Sequence, residues 1–155
     1  MGTLALRSAE PVTTLRLALG FVAGFFAVLL FHQPVVAALA HAGLIKAGVY
    51  SLGATRPFGV PQVISLSFWG GVWGIVFALV DRRFPRGGLY WLYAFLFGAI
   101  FPTLVAWFVV SPLKHVPMAA GWDAAKMCAG FLANGAWGVG TALLLVLTYR
   151  LRQLV

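Results

Sequence analysis

Four long apolar runs limit most strongly how this chain can fold, and they cover about residues 15–33, 63–80, 89–110 and 124–149. A helix needs about 20 mostly apolar residues to cross a bilayer. Of the 155 residues, 62% are hydrophobic and only 9% are charged, whereas water-soluble domains carry about 25% charged residues. The sequence therefore predicts an all-α integral membrane protein with four transmembrane helices, in which residues 1–155 form a single membrane domain.

The stretch 35–62 separates the first two runs and is too irregular for another span. Its first half is apolar but is interrupted by His41 and Lys46, so we expect an interfacial helical segment after the first span, or a tilted continuation beyond a kink at Pro34. Its second half is rich in Gly and Pro, which is typical of a loop. The first run also resembles a signal peptide with a small-residue cleavage pattern at 40–42, but we expect an uncleaved span.

Basic residues are distributed unequally between the two ends of the predicted spans. A short basic turn at 81–88 makes the second and third spans an antiparallel hairpin. One end of the spans then holds seven Lys and Arg residues and the other holds four. Cytoplasmic ends carry the excess of these residues, so we expect both termini in the cytoplasm and the chain in the plasma (inner) membrane. The seven are Arg7, Arg16, Arg82, Arg83, Arg86, Arg150 and Arg152; the four are Lys46, Arg56, Lys114 and Lys126.

Two sequence patterns recur between the halves of the chain. Residues 20–34 align without gaps on 98–112, with Gly matching Gly at one end and Pro matching Pro at the other. The five residues 71–75 similarly resemble 135–139. The pattern predicts two helical hairpins that form a parallel repeat, related by an axis along the membrane normal. Chance similarity between Gly-rich apolar helices is the competing explanation.

The second and fourth spans each carry a stripe of small residues at intervals of four, which places the members of a stripe on one helix face. Such faces let helix backbones approach closely in lipid. We therefore expect the second and fourth spans to contact each other through these stripes, within one chain or between copies. The stripes are Gly70, Gly74 and Ala78 on the second span, and Gly130, Asn134, Gly138 and Ala142 on the fourth.

Asn134 is the strongly polar side chain that lies well inside a predicted span. An amide in hydrocarbon requires a hydrogen-bonding partner. A structural clamp between the second and fourth spans is one interpretation, and a ligand-binding amide is the other.

Three aromatic residues at the start of the third span, Tyr90, Trp91 and Tyr93, are expected to be anchors at the membrane interface.

Several function classes are disfavoured by what the spans lack. The acids Glu10, Asp81 and Asp123 all fall at the edges of spans, whereas proton-coupled transporters keep a carboxylate within the membrane. The histidines His32, His41 and His115 are candidates for a polar site, but their spacing matches no metal-ligand motif. No spacing suggests a nucleophile with its base, and the basic residues flank spans rather than cluster as in nucleic-acid binding proteins. We expect no enzymatic activity, metal, cofactor or nucleic-acid partner.

The sequence then favours an accessory or assembly subunit of a larger membrane complex, or a homo-oligomer held by the small-residue faces. An oligomeric channel or facilitator for a small solute, with Asn134 along the path, is one alternative. A lipid- or quinone-binding protein that uses the aromatic residues of the second and third spans is another. The expected partners are membrane lipids and either another membrane protein or further copies of the chain.

Overall fold

The structure, a computed structural model, describes residues 13–152 and contains four long helices. Each is long and apolar enough to cross a membrane, which confirms the prediction of four helices with the length and composition of spans. Arg7 and Glu10, which the sequence placed at span edges, lie outside the described residues. The helices are α1 (Thr14–His41), α2 (Gln62–Arg83), α3 (Gly88–Leu113) and α4 (Ala124–Arg152).

Helix α1 is longer than predicted, because Pro34 does not end it. The helix continues to His41 and has 28 residues, which corresponds to about 42 Å against a hydrocarbon thickness of about 30 Å. Of the two expectations for this segment, a continuation of α1 is therefore the one observed over residues 35–41, and a separate interfacial helix is not. The reason is a π-helical turn at Val28–His32 just before the proline, since a wider turn relieves the clash between a proline ring and the preceding carbonyls.

Helix α3 contains a π-helical turn at the equivalent position, also just before a proline. Its π-helical turn covers Ala106–Val110 and is followed after one residue by Pro112. In the alignment of 20–34 with 98–112, the two π-helical turns occupy identical positions. Each turn contains a backbone carbonyl that accepts a hydrogen bond from a side-chain hydroxyl. Tyr50 Oη donates to Leu29 O at 2.6 Å, and Ser111 Oγ donates to Ala106 O at 2.9 Å.

We call the end of the bundle where α1 begins and α4 finishes the terminal end, and the opposite end the loop end. The loop after α1 forms a short antiparallel hairpin of β1 (Ala54–Thr55) and β2 (Val60–Pro61). The connection between α3 and α4 contains a 3-10 segment, Met118–Trp122.

Glycines bring α1 and α2 into backbone contact. The Cα of Gly24 and the carbonyl of Gly20 lie so close to Gly74 that a Cβ there would overlap both. A Cβ on Gly24 would likewise overlap the carbonyl of Gly70. The stripe on α2 therefore faces α1.

The stripe on α4 faces α3 in the same way. A Cβ on Gly138 would overlap the carbonyl of Ala94 and approach the Cα of Gly98 to 3.2 Å. The prediction that the second and fourth spans meet through their stripes is therefore wrong. Helical periodicity shows which residues share a face, but it does not show which helix covers that face.

The two hairpins have different registers although their π-helical turns align. Gly74 lies against Gly20 and Gly24, whereas Gly138 lies against Ala94 and Gly98. Since Gly98 aligns with Gly20 in sequence, the second hairpin is shifted by one helical turn relative to the first.

Aromatic side chains join the two hairpins. The Trp137 indole, 2% exposed, donates its N–H to Gly24 O at 2.9 Å and so inserts an α4 side chain between α1 and α2. On the other side, Phe77 on α2 and Phe97 on α3 are buried with their ring centroids 5.3 Å apart. Helix α1 thus contacts both α2 and α4 closely, while rings fill the space between α2 and α3.

Substitution of Gly74 by Ala should destabilise the bundle, whereas Gly130→Ala should not. A Cβ at Gly74 overlaps backbone atoms, and overpacking of this kind costs about 1–3 kcal/mol. A Cβ at Gly130 meets only ordinary contacts, 3.7 Å from the Trp107 ring at the nearest. Thermal unfolding in mild detergent, followed by far-UV circular dichroism, measures the difference. Equal midpoints for the two variants would contradict the backbone contact.

Candidate functional site

A buried ion pair links α1 to α2 at the terminal end. Arg16 Nη2 is paired with Asp81 Oδ1, and Arg16 Nε donates to the carbonyl of Ala78 at 2.7 Å. Arg16 is 4% exposed and Asp81 is 7% exposed. A charged pair buried in a membrane bundle is costly and marks a candidate functional site.

Two tyrosines complete the surroundings of this pair. The Arg16 guanidinium carbon lies 5.6 Å from the centre of the Tyr149 ring on α4, within the range of a cation–π contact. Tyr90 on α3 lies beside the Asp81 carboxylate. All four helices therefore contribute a side chain to one cluster, which we call the inner polar cluster: Arg16, Asp81, Tyr90 and Tyr149.

The sequence reasoning missed this cluster. Asp81 does lie at the end of its span, as expected, but it is buried rather than exposed at an edge. The edge position agrees with the prediction, but the burial of the carboxylate within the bundle was not foreseen. A signal was present: Arg16 precedes Gly20 by four residues and Asp81 follows Gly74 by seven, so each continues the small-residue face of its own helix.

Asn134 forms a clamp, but with a different helix from the one expected. Its side-chain N–H donates to Thr103 Oγ1 of α3 at 2.8 Å. The predicted clamp to the second span is wrong for the same reason as the predicted stripe contact. Because Thr103 is fully buried, this bond satisfies polar groups between α3 and α4.

The three histidines are not brought together. His41 and His115 are exposed near the loop end. His32 lies in the π-helical turn of α1, and its Nδ1 is buried without a hydrogen-bond partner among the described residues. Within residues 13–152, no group of three His, Cys, Asp or Glu side chains could hold a metal ion.

The loop end of the second hairpin has an open pocket of about 410 Å³. Asp123 lies in it as the cap of α4, accepting the backbone N–H of Ala125 at 3.0 Å and of Lys126 at 3.2 Å. The bond from the Lys126 backbone lowers the pKa of the Asp123 carboxyl. The Lys126 ammonium is 3.4 Å away. Since the acid and the amine satisfy each other and the helix end, the pocket offers a ligand no unpaired charge.

The proposed interface anchors separate into two kinds. Trp91 and Tyr93 are exposed at the start of α3, and their anchoring role stays a prediction. Tyr90 instead turns inward to the inner polar cluster and packs against the core. One face of the helix thus carries exposed rings, and another carries the tyrosine that lies beside Asp81.

No protein-family model, curated protein or solved structure matches this chain.

Removal of one partner of the buried ion pair should cost more than removal of both. Arg16→Met or Asp81→Leu alone leaves an uncompensated buried charge, at a cost of about 3–5 kcal/mol. The double variant should recover most of that loss. Unfolding midpoints of the two single variants and the double variant in mild detergent measure the coupling, with Arg83→Met, at an exposed position, as the control. Additive losses would show that the pair is not coupled.

Proposed function

We propose that this protein is a non-catalytic accessory subunit that binds a larger membrane protein through an aromatic face of its first hairpin. One observation carries the proposal, a continuous group of five aromatic rings on the lipid-facing side of α1 and α2. We call it the aromatic patch: Phe21, Phe25, Phe26, Phe68 and Trp69.

The rings of the aromatic patch pack on one another and are also exposed. Phe21 and Phe68 join the two helices edge to face with centroids 5.8 Å apart, and Phe68 makes a similar contact with Trp69 at 5.8 Å. The Phe21 ring lies over Gly71, where a Cβ would overlap it. The outer rings nevertheless stay accessible, since Trp69 is 58% exposed.

An exposed surface of packed aromatic rings suits a protein partner better than it suits lipid. Acyl chains are satisfied equally by aliphatic side chains, whereas aromatic residues are enriched at the energetic centres of protein interfaces. Rings that are already held in place lose little conformational entropy on binding. The small-residue faces, by contrast, are occupied within the chain, which favours an accessory subunit over a homo-oligomer held by those faces.

The interior of the bundle gives less support to a solute path through a single chain. Phe77 and Leu145 are fully buried, and Trp137 is 2% exposed. A channel would therefore require a path between chains. In that alternative, Asn134→Leu would remove an amide already engaged by Thr103.

We infer further that the two hairpins arose by duplication, as the recurring patterns predict. Identically placed π-helical turns, each followed by proline, support this inference. So does the shared backbone contact at Gly74 and Gly138. A one-turn slide of one hairpin after duplication accounts for the difference in register.

Leucine substitutions in the aromatic patch should weaken binding of the larger membrane protein and leave the fold of this chain intact. For Phe68→Leu with Trp69→Leu, recovery of the crosslinked partner protein should fall about thirtyfold, because two interface aromatics that each contribute about 1 kcal/mol weaken binding by about 2 kcal/mol. The matched control is Phe101→Leu with Phe108→Leu on α3, where both rings are also exposed. Quantitative mass spectrometry of crosslinked, mildly solubilised membranes gives the readout. Equal recovery for both variants, or a chain without any protein partner, would contradict the proposal.

The proposed orientation has both termini in the cytoplasm of a cell whose inner membrane holds the protein. In a Cys128→Ser background, Phe58→Cys at the loop end should react with a membrane-impermeant maleimide on cells with a permeable outer layer. Arg86→Cys at the terminal end should react only after the membrane is opened. Both positions are exposed, so access alone decides the result. The reverse labelling pattern would show the opposite orientation.

A further inference from the structure

Two buried polar atoms without partners lie at the loop end of the contact between α1 and α2. They are Nδ1 of His32 and Oγ of Ser67, and neither has a hydrogen-bond partner among the described residues. Ser67 is 0% exposed. Each unpaired group costs about 1–3 kcal/mol in a dry interior, so the pair requires an explanation.

The two residues belong to the same layer of this contact. The helices are antiparallel, and Val28 of α1 lies against Gly70 of α2. One turn further toward the loop end, α1 reaches His32 and α2 reaches Ser67. The register of the two helices therefore places both residues at about the same depth, and Ser67 precedes Phe68 of the aromatic patch.

The second hairpin shows that the fold does not require polar groups in this layer. Ser67 corresponds there to Phe131, in the alignment of 71–75 with 135–139. His32 corresponds to Val110 when the π-helical turns are aligned, and to Ala106 in the register of the backbone contacts. The corresponding layer is apolar in either register, and Phe131 packs edge to face on Trp107 with centroids 5.1 Å apart. The polar pair is thus a property of the first hairpin alone.

The loop after α1 lies over the end of the helix turn that carries His32. Gln33, 5% exposed, accepts the backbone N–H of Tyr50 at 2.7 Å, so the loop after α1 is fastened over this end of the helix. His32 as a residue is only partly buried, whereas Ser67 is fully buried, so a ligand would approach from the His32 side.

The chemistry of the pair selects a neutral acceptor. A serine hydroxyl donates one hydrogen bond, and a neutral imidazole can donate from Nδ1, while a carbonyl oxygen has two lone pairs to accept both. The carboxylates of the described chain are elsewhere, Asp81 at the terminal end and Asp123 before α4, so nothing here favours a cation. We propose that His32 and Ser67 bind a carbonyl oxygen of a membrane-soluble ligand, either the ring carbonyl of a quinone or the ester carbonyl of a glycerolipid.

Ligand-induced stabilisation of the full chain tests this proposal with two probes, decylubiquinone and dioleoylglycerol. At least one probe should raise the thermal unfolding midpoint of the unmodified protein and of His41→Leu, whose histidine is exposed and serves as the control. His32→Leu and Ser67→Ala should bind that probe about tenfold more weakly, since each loses one buried hydrogen bond. Without ligand, both variants should be at least as stable as the parent chain, because each removes an unpaired buried group.

The result with each probe identifies the source of the carbonyl. A shift with decylubiquinone alone indicates a quinone, and a shift with dioleoylglycerol indicates a lipid ester. The proposal is overturned if neither probe shifts the midpoint. Bound water would then be the hydrogen-bond partner of the two polar atoms. Equal affinity in the parent chain and in both variants would overturn it as well. Neither result bears on the aromatic patch, because His32 and Ser67 are not part of it.

Discussion

Direct contact between helix backbones is the interaction on which the rest of this bundle depends. In lipid, apolar side chains gain little by leaving the solvent, so close packing of small residues is a leading source of helix association. Glycines supply it twice, at Gly74 against α1 and at Gly138 against α3. They also uncover the backbone, since the Gly24 carbonyl is reached by the Trp137 indole from the other hairpin. The absence of side chains at the glycines of the first hairpin thereby permits the hydrogen bond between Trp137 and Gly24 that joins the two hairpins.

The polar residues of the interior are distributed in layers with different roles. Arg16 and Asp81 connect α1 and α2 at the terminal end, with tyrosines from α3 and α4 around them. Asn134 and Thr103 connect the second hairpin. His32 and Ser67, at the loop end, are the layer whose atoms find no partner in the described chain. Satisfied layers are sufficiently explained by the architecture, whereas the unsatisfied layer points to something that binds there.

The sequence was informative where one helix could be considered alone. Apolar length predicted the four spans, and intervals of four residues identified Gly70, Gly74 and Gly138 as members of close-contact faces. The sequence was uninformative about which helices contact each other, because the residues on one helix face do not identify the helix that packs against it. For the same reason, Asn134 was assigned to the wrong helix. Pro34 was expected to end or kink the first span because sequence does not reveal the π-helical turn that accommodates it.

The inner polar cluster could have been inferred only by combining two patterns. Arg16 and Asp81 each look like an ordinary charge beside an apolar run. Their common property is that each extends a glycine face, which becomes meaningful only when α1 and α2 are known to pair. The sites that carry the function proposed here share this difficulty, since the aromatic patch and the His32 layer are both assembled from two helices.

The buried pairing of Arg16 with Asp81 also has a consequence for biogenesis. An arginine in a nascent helix costs about 3 kcal/mol at the bilayer centre, and less near the helix end, when it enters the membrane without a counter-charge. Asp81, which pairs with Arg16, is synthesised 65 residues later. Stable insertion of α1 at full depth is therefore favoured once α2 has followed it and the two charges can pair.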